Sequence, residues 1–332
     1  MHGHDDTDGD GSPPQHLHPV PDWIPIVTDP SRQGAQTLAL PALVMGALAM
    51  AISPIFVRHA EVGPFASAFW RVGGAIPLLF VWSYVEGRRS GRTLRDLFRF
   101  DAPVIYAGLF FTADLIFWRL ATLNTSVANA VFLATMAPVW VALGSGFFIG
   151  EHVPRSVFAG LALCLVGAAF LIGMSWQLAP EHLFGDLCGL ATSVFFGAYF
   201  LPVRVARRTQ SAAKITFLST IITSLALLAV ALAVEPRILP TTLEGAAAIV
   251  GLSVVSHAGG QGLLAFALGH LPAAFSALVI FLEAIAGAVF GWLFAGEPIS
   301  LPQAVGGLLI LAGIMVARPR KAPAPPTPEP AS

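Results

Sequence analysis

Charge is scarce in this chain. Of 332 residues only 11 % are Asp, Glu, Lys or Arg, against about 25 % in a typical globular domain. That is too little to cover water-facing globules of this size. The formal net charge is −1, so no basic field exists to hold nucleic acid. Cysteine is nearly absent: Cys164 and Cys188 stand in apolar stretches without CxxC spacing, which excludes a disulfide framework and a zinc ribbon. No GxxxxGK[ST] motif is present, so nucleotide hydrolysis has no support. HExxH, GxSxG and paired Asp-rich motifs are also missing, which leaves an intramembrane enzyme without a catalytic cluster. No cofactor motif is read. What is abundant is apolar surface, with 55 % hydrophobic residues and a mean hydropathy of +0.74.

That surface comes in continuous runs near twenty residues, the length that crosses about 30 Å of hydrocarbon as helix. A barrel would alternate over about ten residues instead. Ten runs are read, at 38–57, 65–85, 103–122, 127–148, 154–174, 183–203, 215–234, 244–268, 273–294 and 301–317. The expected fold class is therefore an all-α integral membrane protein. No connection is long enough for a soluble domain. Residues 1–36 are polar and rich in Asp, His, Pro and Gly, and are expected to be disordered. They lack a basic n-region and do not read as a signal peptide. The clustered His2, His4, His16 and His18 beside Asp5, Asp6, Asp8 and Asp10 have no fixed ligand spacing, so a solvated tail is favoured over a metal site. Residues 318–332 form a second, Pro-rich tail.

Loop cations set the orientation. With the N-terminus in the cytoplasm, fourteen of the 18 Lys and Arg fall inside and only Arg58 and Arg237 outside, while Arg71 and Arg119 lie within spans. Both termini are expected in the cytoplasm, and the location is the inner (plasma) membrane.

Self-comparison at an offset of 146 residues lays 128–167 over 274–313 with nine identities, among them Gly150-Glu151 over Gly296-Glu297 and Gly160/Gly167 over Gly306/Gly313. The chain therefore reads as five spans repeated, 38–174 and 183–317. Five is odd, so the second copy enters the membrane upside down. Inverted repeats supply two near-equivalent conformations that open to opposite sides of a midplane site.

The residues carry a family resemblance. Phe65-Ala66-Ser67-Ala68-Phe69-Trp70-Arg71 resembles an Arg-bearing second helix. Met136-Ala137-Pro138 resembles an apolar-Pro signature, and Gly150-Glu151 a Gly-Glu turn. Phe281-Leu282-Glu283-Ala284 with Gly296-Glu297-Pro298 resembles their second copy. Over about 38–317 the chain is similar to the EamA-type drug/metabolite transporter superfamily. The resemblance implies ten helices in two inverted halves and movement of small metabolites such as amino acids, often outward. Ala284 stands where the family commonly has Pro, which removes the usual cause of a bend there.

Ionisable residues deep in spans cost several kcal/mol and default to a cavity or a partner. Asp114, His257 and Glu283 lie near mid-span and Arg71 in the outer third of its span. Arg119 lies close enough to an interface to snorkel. The repeat sets His257 over Phe111 and Asp114 over Gly260. Phe111 and Asp114 are three apart on one helical face, so Asp114 and His257 are expected on equivalent faces of related helices. The functional reading is that Glu283 or Asp114 with His257 carries a coupling proton, because a low-dielectric carboxylate and a His titrate near neutrality. Arg71 would hold an anionic group. The bland reading is that all four lock helices together.

Trp70, Asn129, Tyr199 and Gln261 are further binding candidates, each also readable as ordinary packing or capping. Pro138, Gly150, Glu151, Gly296 and Glu297 are read as structural. Gly160/Gly167 and Gly306/Gly313 suit close helix packing and mark outer helices. The GxxxG pairs Gly146–Gly150 and Gly287–Gly291 suit internal packing or a homodimer seam. The expected function is a secondary transporter of a small polar or amphiphilic solute, in the bilayer, with a proton or other ion as coupling partner. An intramembrane enzyme or a membrane scaffold or sensor is the alternative.

Overall fold

The computed structural model describes residues 30–172, 180–295 and 299–319. The His/Asp-rich tail, Gly296-Glu297-Pro298 and most of the C-terminal tail lie outside them. Among the described residues every regular element is helical: α1 (Pro30–Ala51), α2 (Ser53–His59), α3 (Pro64–Gly73), α4 (Ile76–Arg89), α5 (Leu94–Leu97), α6 (Ala102–Asn124), α7 (Val127–Ala134), α8 (Ala137–Phe148), α9 (Arg155–Ile172), α10 (Leu183–Ala206), α11 (Ala212–Val234), α12 (Leu243–Gly251), α13 (Gly262–Ala267), α14 (Ala273–Val279), α15 (Leu282–Ala295) and α16 (Leu301–Ala317). A π-helical segment, Leu252–Gln261, joins α12 to α13. Eight continuous or broken helices are long and apolar enough to cross a membrane, and Arg155–Leu171 and Leu301–Ala317 are shorter apolar helices. Their outer faces are apolar: Leu308 is 67 % and Met315 76 % exposed. In water such surface would be an aggregation hazard, whereas lipid covers it.

Several spans are broken. Proline lacks the N–H and its ring clashes with the carbonyl four residues back. Pro54, Pro77 and Pro138 each sit in the first turn after a break, at α1/α2, α3/α4 and α7/α8. The α14/α15 break has no proline. There Phe281, Glu283 and Ala284 donate to carbonyls three residues back, so two tight turns interrupt the helix where Ala284 replaces the family's Pro.

α6 packs along α10 and α11, and α11 against α3 and α4. α1 runs beside the π segment and α13, while α8 meets α10 and α14. α9 and α16 pack mainly on each other. A methyl added to Gly160 would strike the Gly313 carbonyl, and one on Gly313 the Gly160 carbonyl; Gly167 and Gly306 are reciprocal in the same way. Four glycines thus let two backbones touch, in the manner of small-residue seams in membranes.

Candidate functional site

α6 presents a stripe, Phe111, Asp114, Leu115, Trp118, Arg119 and Thr122, at the spacing of one helical face. That stripe is one wall of a cavity of about 680 Å³. Other walls come from α2, the Arg71 turn of α3, the α7/α8 break with Pro138, Phe196 and Phe200 of α10, and the α14/α15 break with Phe281 and Glu283. Gln261 reaches it from the end of the π segment. The lining extends to Arg58 and Thr122, near the ends of α2 and α6 and away from the start of α1.

Four polar side chains, Arg71, Asp114, Gln261 and Glu283, are among the lining. Arg71 is within Coulombic range of Glu283 and Asp114, yet no ion pair within 4 Å joins them among the described residues. Asp114 is 7 % and Gln261 1 % exposed. Among the described residues, Arg71 Nε, Glu283 Oε1 and Gln261 Oε1 are buried without a hydrogen-bond partner. Such groups are costly in a dry interior, and the side chains that carry them line the cavity. Among the described residues, no three of His, Cys, Asp and Glu converge to hold a metal.

The other sequence candidates fall behind or beside this cavity. His257 is buried against Phe111, with ring centroids 5.7 Å apart, and its Nε2 pairs with Thr220 Oγ1 at 2.8 Å. Its Nδ1 has no partner among the described residues, and Arg71 is in Coulombic range. It therefore backs the wall that Asp114 lines. π-type i→i+5 bonding turns fewer degrees per residue than an α-helix, so the register between His257 and Asp114 slips and Gln261 takes the cavity face. Tyr199 is buried on the far side of Phe111, at 5.1 Å between centroids. Trp70 donates from Nε1 to the Ile238 carbonyl at 2.6 Å. Asn129 donates from Nδ2 to Asp186 Oδ1 at 3.0 Å, and Thr125 adds a bond to the same oxygen. Those two contacts tie α7 and the turn before it to α10.

Two carboxylates outside the cavity set its frame. Glu235 accepts from the Phe65 and Ala66 amides at 2.6 and 2.9 Å. It thereby satisfies orphan donors at the N-terminus of α3 and fixes the helix that carries Arg71. Gly150 ends α8 with φ +68°, a left-handed conformation natural to glycine. The turn delivers Glu151 to Arg204 of α10 and to the Ala273 amide at the start of α14. Arg204 also donates to the Leu268 carbonyl and Arg208 to that of Ile149. This network braces the face away from the cavity mouth. Glu297, its sequence counterpart, lies outside the described residues.

Arg119 was expected to snorkel. It is instead 8 % exposed and lines the cavity. Its signal was present in the sequence, since the 111, 114, 118, 122 face of α6 has 119 at its edge.

The model of the EamA-like transporter family matches residues 37–173 and again 183–318. A protein of Archaeoglobus fulgidus named as an uncharacterized transporter is 26 % identical, covering 83 % of this chain and 94 % of its own length. The pseudopaline exporter CntI of Pseudomonas aeruginosa is also 26 % identical, over 84 % of this chain and 95 % of its own. A solved crystal structure shares the fold with a TM-score of 0.70 at 19 % identity, covering 86 % of this chain and 97 % of that one.

Proposed function

The chain belongs to the EamA-like transporter family, and from that premise we propose a secondary transporter that carries a small polar or amphiphilic metabolite, an amino acid or related solute, outward across the inner membrane by alternating access. A membrane transporter of small metabolites is what the family is. The solute class, the direction and the mechanism are the proposal. The observation that carries it is the cavity between the spans, apolar on most of its walls, with Arg71, Asp114, Gln261 and Glu283 among its lining. Export follows the exporter of Pseudomonas aeruginosa among the relatives.

We read the eight long helices and the two shorter ones as ten spans in two inverted halves, 38–174 and 183–317. The paired matches to one family model support this. So does the packing: α6 on α10 has its counterpart in the π segment and α13 on α1, and α8 on α10 in α15 on α1. The glycine contacts between α9 and α16 are reciprocal under the same exchange. Both termini are read as cytoplasmic, which makes the cavity open outward. Glu283 and Asp114 are the coupling carboxylates, each able to release a proton when the cavity faces water and take one when it does not. Arg71 balances them.

Flux into proteoliposomes tests the reading. Glu283→Gln and Asp114→Asn keep shape, so they should insert normally and lose flux or its pH dependence. Wild-type flux and pH profile in both would overturn the coupling role, and product formation without flux would point to an enzyme.

A further inference from the structure

Two arginines share the cavity, Arg119 buried and Arg71 half-buried, and their surroundings differ. Arg71 has two carboxylates in Coulombic range, Glu283 and Asp114. Arg119 has Arg71, which repels it, and Glu235. Both Glu235 carboxylate oxygens already accept backbone amides, from Phe65 and Ala66. Among the described residues the Arg119 guanidinium makes no ion pair within 4 Å, and its Nε is buried without a hydrogen-bond partner. At 8 % exposure it is the less compensated cation of the cavity. A guanidinium fork matches a carboxylate bidentately, and a buried cation gains most from a partner that arrives with its own charge.

Building on the transport reading, we propose that Arg119, rather than Arg71, holds the carboxylate of the transported solute, nearer the cavity mouth than the Arg71–Asp114–Glu283 cluster. Arg119 lies five residues from the end of α6, and Asp114 ten. Trp118, Leu115 and Phe196 line the same space and receive the apolar part of the solute. Arg71 stays with the acid pair, so binding and coupling are carried by different arginines. The solute class this selects is an organic acid with an apolar body. It excludes the uncharged amide of the same acid, because that exchange leaves a desolvated guanidinium facing a neutral group.

The full chain in proteoliposomes is given radiolabelled L-leucine, L-phenylalanine and L-glutamate, each against its α-carboxamide. The wild type should move at least one acid and not its amide. Arg119→Gln should raise KM for that acid about ten-fold or more, with kcat and pH profile changed less. Arg119→Lys should fall between, because it keeps the charge and loses the fork. Arg71→Gln should change the pH profile more than KM. If Arg119→Gln fails to fold, the rise in KM of Arg119→Lys carries the test. An unchanged KM in the folded Arg119 variants, or equal transport of acid and amide by the wild type, overturns the role of Arg119 and leaves transport standing. Absence of flux for all six probes by folded wild-type protein overturns the amino-acid reading, and the inference with it.

Discussion

Glu151→Gln should weaken the closure of the face opposite the cavity mouth. The carboxylate joins the turn after α8 to Arg204 of α10 and to the Ala273 amide of α14, so three elements meet on one side chain. The glutamine keeps the shape and loses the charge. The size of the effect follows from burial. An exposed pair is worth about 0–1 kcal/mol, and breaking a fully buried one costs about 3–5. Here the two side chains are 17 % and 22 % exposed, which places the loss near ~2 kcal/mol. If that energy favours the closed arrangement alone, its removal shifts the conformational ratio about thirty-fold. The assay is alkylation by a membrane-impermeant maleimide of Ala137→Cys, at the cavity wall, in a Cys164→Ser, Cys188→Ser background. In inside-out vesicles the labelling rate should rise in Glu151→Gln, while thermal stability drops only modestly. A labelling rate unchanged from the parent, with the variant folded, would refute the argument that this network holds the face shut.

Gly160→Ala and Gly313→Ala should each lower thermal stability by about 1–3 kcal/mol, because each added methyl runs into the facing backbone carbonyl. The double variant should cost less than the two together, since both act on one crossing that separates once; strict additivity in melting experiments would argue that α9 and α16 do not pack there. A cysteine at Arg92 should resist impermeant reagent in intact cells and one at Arg237 should react, following the positive-inside distribution; the reverse pattern would invert the topology and the direction in which the cavity opens.

Elements whose cause is local were readable from residues. Span lengths follow from runs of apolar side chains, and three breaks follow from Pro54, Pro77 and Pro138. The Gly150-Glu151 turn follows from one left-handed position. Asp114 and Glu283 were marked by the cost of charge at depth, an argument that needs only distance from the span ends. The same argument misjudged Arg119, because depth along a helix says nothing of the direction a side chain takes around it. Ala284 removed the usual cause of a bend, and the break is there through three-residue turns.

The sequence by itself determined that the chain lives in a membrane, where its spans lie and which charges are expensive, because these depend on composition and period alone. Tertiary structure decided the rest, because it depends on partners more than a hundred residues apart. Packing set Phe111, a cavity wall, against His257, brought Glu235 to the start of α3, and tied both its carboxylate oxygens to backbone amides there. It also ran α9 and α16 together through four glycines and left Arg119 in a shared space with no ion pair among the described residues. No local pattern encodes those meetings, since each is fixed only when helices distant in the chain pack against one another.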